Sequence, residues 1–175
     1  MRDGAFVTLP LGAVDLARRR ISQLPELGVL TKNSKAAITS LFPIAPLLAI
    51  VEEWDSFVRS QSDDPHLAWY TRLRWDGTEI DITDLIEPGR SWTGRVNALR
   101  EGLKEICRLA GVEYKSPHKI RHGHGVYGIK RAKTMAELKA LSQNMMHENI
   151  STTDGIYGNL VEDDVASILA TFTPD

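Results

Sequence analysis

Leu47, Ile50, Val51, Trp54, Phe57 and Val58 recur three and four residues apart, the spacing that gathers apolar side chains on one stripe of an α-helix. Pro46 stands where a first helical turn tolerates proline. A second stripe, Val96, Leu99, Leu103, Ile106 and Ala110, predicts a helix that Ser91 can cap and Gly111 ends. Ser116-Pro117 opens a third helix through His118, Arg121 and Tyr127. Thr134 and Glu137 have capping-box spacing ahead of Leu138, Leu141 and Met145. Further on, a short helix is expected to carry Tyr157, and Val165, Ile168, Leu169 and Phe172 make a last amphipathic helix. Nearer the start, Arg2–Leu9 reads as a helix fragment, and Arg18–Arg20 with Ile21 lead towards a strand. Gly28–Thr31 and Ala36–Phe42 lean to β structure on either side of Lys32–Lys35, which predicts a hairpin. Residues 61–90, rich in Asp, Gly and Pro, read as surface loop. The pattern predicts an α+β, mostly α-helical fold with a small antiparallel β-sheet near the N-terminus.

Composition narrows the class without naming a function. The 175 residues are 42% hydrophobic, 25% charged and 7% aromatic, which excludes a collagen-like, coiled-coil-only or wholly disordered chain and fits a single domain over 1–175. No run approaches the roughly 18 apolar residues of a membrane span. The longest candidate, Leu41–Val51, is interrupted by Pro43 and Pro46. The first residues lack a basic-then-apolar leader layout, so a cytoplasmic location is expected. A lone Cys107 excludes an internal disulfide framework and a cysteine-rich zinc site. Beside its helix's apolar face, Cys107 reads as a small hydrophobe rather than a nucleophile.

The net charge of -2 hides an uneven layout. Lys115 to Lys139 holds seven Lys/Arg against one acid, Glu137, whereas Glu148 to Asp175 holds six acids and no Lys/Arg. Each stretch can be a solvated helix face. Read together, they suggest a polyanion-facing surface followed by an acidic tail.

Three clusters could carry chemistry. The first is His118-Lys119-Ile120-Arg121-His122-Gly123-His124, in which His118 shares a helix face with Arg121 and with His122. The second is His147 followed ten residues later by Tyr157, across Ser151-Thr152-Thr153-Asp154-Gly155. The third is the turn Thr31-Lys32-Asn33-Ser34-Lys35. A metal site on His118, His122 and His124 is disfavoured. His122 and His124 are two apart and point to different sides of a helix unless it breaks at Gly123. Taken singly, each residue also fits a structural role: His118 and Arg121 pairing within a helix, Tyr157 half-buried in a core.

In this order, the residues resemble a known set. The run Ser116–Leu160 resembles the catalytic domain of tyrosine recombinases, the phage-integrase family. His118, Arg121 and His122 match its His-x-x-Arg-His element, His147 its second histidine, and Tyr157 its nucleophile. Upstream, Arg2-Asp3-Gly4-Ala5 looks like the family's first arginine motif, and the turn of Lys32 looks like its β-hairpin lysine.

The resemblance implies a tyrosine-recombinase catalytic-domain-like fold and a site-specific DNA recombinase or integrase. Such an enzyme breaks and rejoins DNA strands through a 3′-phosphotyrosyl intermediate, with no cofactor and no metal. It implies catalytic roles for Tyr157, Arg121, His118, His147, Arg2 and Lys32, with Lys35 a rival to Lys32. Double-stranded DNA is the implied partner, and Lys115, Lys119, Lys130, Arg131 and Lys133 are DNA-binding candidates. It further implies a homo-oligomer, a tetramer on DNA, formed through the C-terminal helix 161–175, and no membrane. Two departures stand out. Met1 directly precedes Arg2, where the family has a helix and usually a DNA-clamping N-terminal domain, so a chain lacking that domain is expected. Met146 stands where the family commonly has glycine. Two other readings are a truncated, non-catalytic DNA-binding or regulatory remnant, and an unrelated helical hydrolase or interaction domain.

Overall fold

A computed structural model describes residues 1–71, 74–75, 80–81, 86 and 92–147. Among these residues the α-helices and strands are, in chain order, α1 (Asp3–Val7), β1 (Val14–Asp15), β2 (Arg20–Gln23), β3 (Ala37–Ser40), α2 (Ala45–Gln61), β4 (Arg74–Trp75), β5 (Ile80–Asp81), α3 (Thr93–Leu109), α4 (Pro117–Ile129) and α5 (Met135–Asn144). The chain divides into two compact units, Met1–Arg121 and His122–Asp175. The predicted class holds: mostly helix, with one small antiparallel sheet near the N-terminus.

That sheet has the order β1-β2-β3. Ile21 stands opposite both Val14 and Thr39, and Gln23 opposite Ala37. Alternation then sends Ile21, Gln23 and Thr39 inward and Arg20, Ile38 and Ser40 outward. The inward polar pair satisfies itself, Gln23 Nε2 donating to Thr39 Oγ1 at 2.9 Å. The predicted hairpin needs correction. The partner of β3 is β2, whereas Gly28–Thr31 forms no strand. Pro25–Leu27 forms a short 3-10 turn, and Gly28 follows it in the left-handed region at φ 83°, which takes the chain out of strand geometry.

The segment after α2 also departs from expectation. Leu67, Ala68 and Trp69 are buried, because this stretch runs beside residues 9–12 as an improvised extra strand. Leu11 N–H donates to Leu67 O, Trp69 N–H to Leu9 O, and Gly12 N–H to Pro65 O. Gly12 permits the approach, since a Cβ there would stand 3.1 Å from Pro65 Cβ and 3.2 Å from Pro65 O. Polar residues around an apolar triplet had suggested loop; main-chain pairing with the core decided otherwise.

One face of α2 covers this core, but not the whole predicted stripe. Val58 is buried, and Val51, Trp54 and Phe57 pack against the core. Leu47 and Ile50, in the helix's first half, are exposed. A buried Asp55 anchors the helix, accepting from Trp69 Nε1 and Arg59 Nε, each at 2.8 Å. Arg59 in turn donates to Leu11 O and Val14 O. α3 likewise turns only its first half inward. Val96 and Leu99 pack on a cluster of Val7, Ala68, Ile86 and Trp92, whereas Ile106 and Ala110 are exposed. Gly111, with φ 67°, ends α3 as expected. In the second unit, Thr134 and Glu137 make the predicted capping box on α5, over which Leu141 and Met145 are buried. The cap Ser91, the helix of Tyr157 and the terminal helix 161–175 lie outside the described residues.

Candidate active site

Arg2 is the N-cap of α1, exposed and extended at φ -89°, ψ 158°. Five residues cannot hold a helix alone, so its direction comes from α3. At one end, Arg100 Nη2 meets Asp3 Oδ2 at 2.7 Å. At the other, the buried Arg95 donates through Nε to Val7 O at 2.9 Å and through Nη2 to Tyr70 O. Arg95 also lies over the rings of Tyr70 and Trp92. A guanidinium suits this joint because it stays charged and presents several donors in a plane.

Arg121 is carried by α4. Ser116 Oγ accepts from Lys119 N–H at 3.4 Å, Ser116 O from Ile120 N–H at 3.0 Å, and Pro117 fills the first helical position. Arg121, half-buried, follows one turn later. Its field is felt at the amino group of Met1, whose pKa falls to about 5 through burial first, then Arg121, then Arg2. His118, exposed, stands three residues before Arg121 on the same helix.

The Lys32 loop rests on α1 as well. Leu30 O lies 3.6 Å from where a Gly4 Cβ would stand, and Leu30 N–H donates to Thr8 Oγ1 at 2.8 Å. Lys32 and Lys35 flank a tight turn in which Asn33 and Ser34 both have positive φ, 56° and 51°, closed by Lys35 N–H to Lys32 O. Lys32 is exposed and Lys35 half-buried.

His147 belongs to the second unit. The end of α5 closes with His147 N–H bonded to Ser142 O and Met146 N–H to Gln143 O, while Met146 adopts φ 56°. This is the Schellman arrangement, whose left-handed position usually takes glycine. Met146 keeps the backbone that the commoner glycine would supply, and the turn delivers His147 half-buried beyond the helix. Tyr157 lies outside the described residues.

Among the DNA-binding candidates, Lys119 and Lys130 are exposed. Lys115 pairs with Glu113 at 2.6 Å, and the guanidinium of Arg131 lies 3.5 Å from the centre of the Tyr127 ring. Lys133 is exposed, its N–H bonded to Glu137. Among the described residues no group of three His, Cys, Asp or Glu side chains can hold a metal ion, and no helix is long and apolar enough to cross a membrane. The sequence reading missed Thr8, Arg95 and Arg100. Thr8 is one hydroxyl in an apolar run, and a buried arginine is rare enough that α3 was read from its apolar residues alone.

No protein-family model matches the chain, and no curated protein matches it. Its structure is similar to that of XerA recombinase, with a TM-score of 0.59 at 15% sequence identity. The match covers 99% of this chain and 54% of the recombinase chain, so this chain spans about half of that length. The likeness is one of fold.

Proposed function

We propose that the chain carries the catalytic domain of a site-specific DNA recombinase of the tyrosine type. The observation that carries the reading is the likeness of fold to XerA recombinase, supported by the loop before Lys32 resting on the helix that Arg2 caps and by Arg121 standing on α4 after His118. Phosphoryl transfer needs positive charge and alignment rather than covalent help from the protein. In this reading Arg2 and Arg121 hold the non-bridging oxygens of one phosphodiester, as forked guanidiniums do well. The Tyr157 oxygen attacks phosphorus, forming a 3′-phosphotyrosyl bond as the bond to the 5′-oxygen breaks. Lys32 gives its proton to that oxygen. His118 takes part in proton transfer near the tyrosine, and His147 donates a hydrogen bond to a phosphate oxygen. The bond energy stays in the protein–DNA link, so rejoining to another 5′-hydroxyl needs no cofactor. Duplex DNA is the partner, met by Lys115, Lys119, Lys130, Arg131 and Lys133. Assembly on it is through residues 161–175, in the cytoplasm.

A pool of nicked duplexes with randomised sequence tests this, because a strand cut near a nick loses its short end and traps the adduct. A covalent adduct is expected from the wild-type chain and none from Tyr157→Phe. Arg121→Ala should reduce the adduct more than Lys35→Ala. Salt-dependent DNA binding with no adduct would instead favour the non-catalytic reading.

A further inference from the structure

We propose that Thr8 is a positioning residue that sets Lys32 in register with Arg2; the proposal rests on the recombinase reading and on Lys32 as its acid. Thr8 closes α1 and is fully buried. Its hydroxyl donates to Gly4 O and accepts from Leu30 N–H, each at 2.8 Å. The backbone N–H of Thr8 turns to Phe6 O, and the side chain bonds Gly4 in the helical i to i−4 direction. One hydroxyl thus grips the helix that Arg2 caps and the loop that Lys32 ends.

The rest of that loop has little else to hold it. Val29 is buried and marks the last core contact before the turn. The other main-chain hydrogen bonds described from Val29 to Lys35 are local, Val29 N–H to Leu24 O, Thr31 N–H to Val29 O and Lys35 N–H to Lys32 O. Thr31 Oγ1 is buried without a hydrogen-bond partner among the described residues. β3, and with it the sheet, resumes only at Ala37. Gly4 lets the two backbones meet, since Leu30 O and Leu30 Cβ lie 3.6 and 4.0 Å from its missing Cβ. A proton donor must sit within hydrogen-bond reach of the leaving oxygen while the arginines hold the same phosphate. A single clasp between their two carriers meets that need.

Two measurements on the full chain test the clasp. The first is amide exchange. Thr8→Val is nearly isosteric but cannot accept from Leu30 N–H. It should strip protection from Leu30 while Ile21 and Thr39 in the sheet stay protected, and Thr8→Ser should keep Leu30 protected. The second is cleavage of a duplex captured from the randomised pool, made with either oxygen or sulfur bridging to the 5′ carbon at the scissile phosphate. A thiolate leaves without a proton, so sulfur removes the need for an acid. Thr8→Val should cleave the oxygen substrate about 10²-fold more slowly, the loss expected for a slightly misplaced group, and the sulfur substrate near the wild-type rate. Lys32→Ala should behave in the same way and Thr8→Ser like wild type, whereas sulfur should not rescue Arg121→Ala. Equal slowing of Thr8→Val on both substrates, or none, overturns the clasp. An unchanged Leu30 amide overturns it without DNA. No adduct from the wild-type chain on either substrate overturns the recombinase reading, and this proposal with it.

Discussion

Ser34 adopts φ 51° in the Lys32 turn, a conformation that costs a residue bearing a Cβ roughly 1–2 kcal/mol relative to the right-handed region. The side chain is exposed, so replacement sacrifices little packing. Ser34→Gly removes the clash but enlarges the freedom of the unfolded chain, which returns part of the gain. The balance should stabilise the fold by about 0.5–1 kcal/mol, and Ser34→Val, β-branched, should destabilise it by at least that much. Denaturant midpoints of the two variants check both signs. Met146 has the same backbone problem at φ 56°, but it is half-buried, so glycine there also removes contacts and backbone relief alone does not fix the sign. Residues differ in how plainly they announce such roles. Thr134 and Glu137 were legible because a capping box is written in local spacing. The strain at Met146 was visible only as glycine missing from a resemblance. Thr8 was not legible, because its partner Leu30 lies 22 residues away and nothing in the spacing links them.

At the scale of elements, α1 depends on α3. The carboxylate of Asp3 is opposed by burial, which raises its pKa, but the hydrogen bond from Arg100, the Gly4 N–H and the charge of Arg100 outweigh this and hold it below its ordinary 3.8. A carboxyl with a depressed folded pKa stabilises the fold above its unfolded value and loses that contribution as pH falls through the folded one. Stability should therefore decline below pH of about 4, where an ordinary aspartate begins to protonate. Asp3→Asn should be less stable than wild type near neutrality, and the gap should close as the solution is acidified. Urea midpoints measured between neutral and acidic pH read this directly; a gap constant with pH would remove the Asp3–Arg100 pair from the joint. Helix existence was legible here, whereas helix facing was not. Periodicity gave α2 and α3, a Ser-Pro start gave α4 and a capping box α5, but Leu47, Ile50 and Ile106 obey the helical period and still face outward, because period says which residues share a stripe and not how far a neighbour extends along it. The buried run Leu67–Trp69 was hidden for a related reason: three apolar residues are too few to show a period, and their partners lie at residues 9–12.

Over the whole molecule, charge does not follow the near-neutral total. DNA binding driven by phosphate contacts releases counterions, and the slope of log affinity against log salt changes by about 0.9 for each contact on duplex DNA. Cations already matched by an acid contribute less to that slope than unmatched ones. Lys115 is held by Glu113 and Arg18 by Asp15, at 2.6 and 2.9 Å, and each acid's pKa is lowered chiefly by the hydrogen bond from its partner. Lys119 is exposed and makes no such pair among the described residues, and neither does Arg19, whereas Arg20 stands opposite Asp15 in the sheet and adds its charge there. The basic run was legible as a count of charges; which of them remain unmatched was not, because acids near in sequence neutralise some and miss others. Lys119→Ala should therefore lower the salt slope of duplex binding by about one unit, and Lys115→Ala by clearly less. The slope rather than a single affinity is the right measurement, because a substitution that merely loosens the fold weakens binding at every salt concentration and leaves the slope where it was.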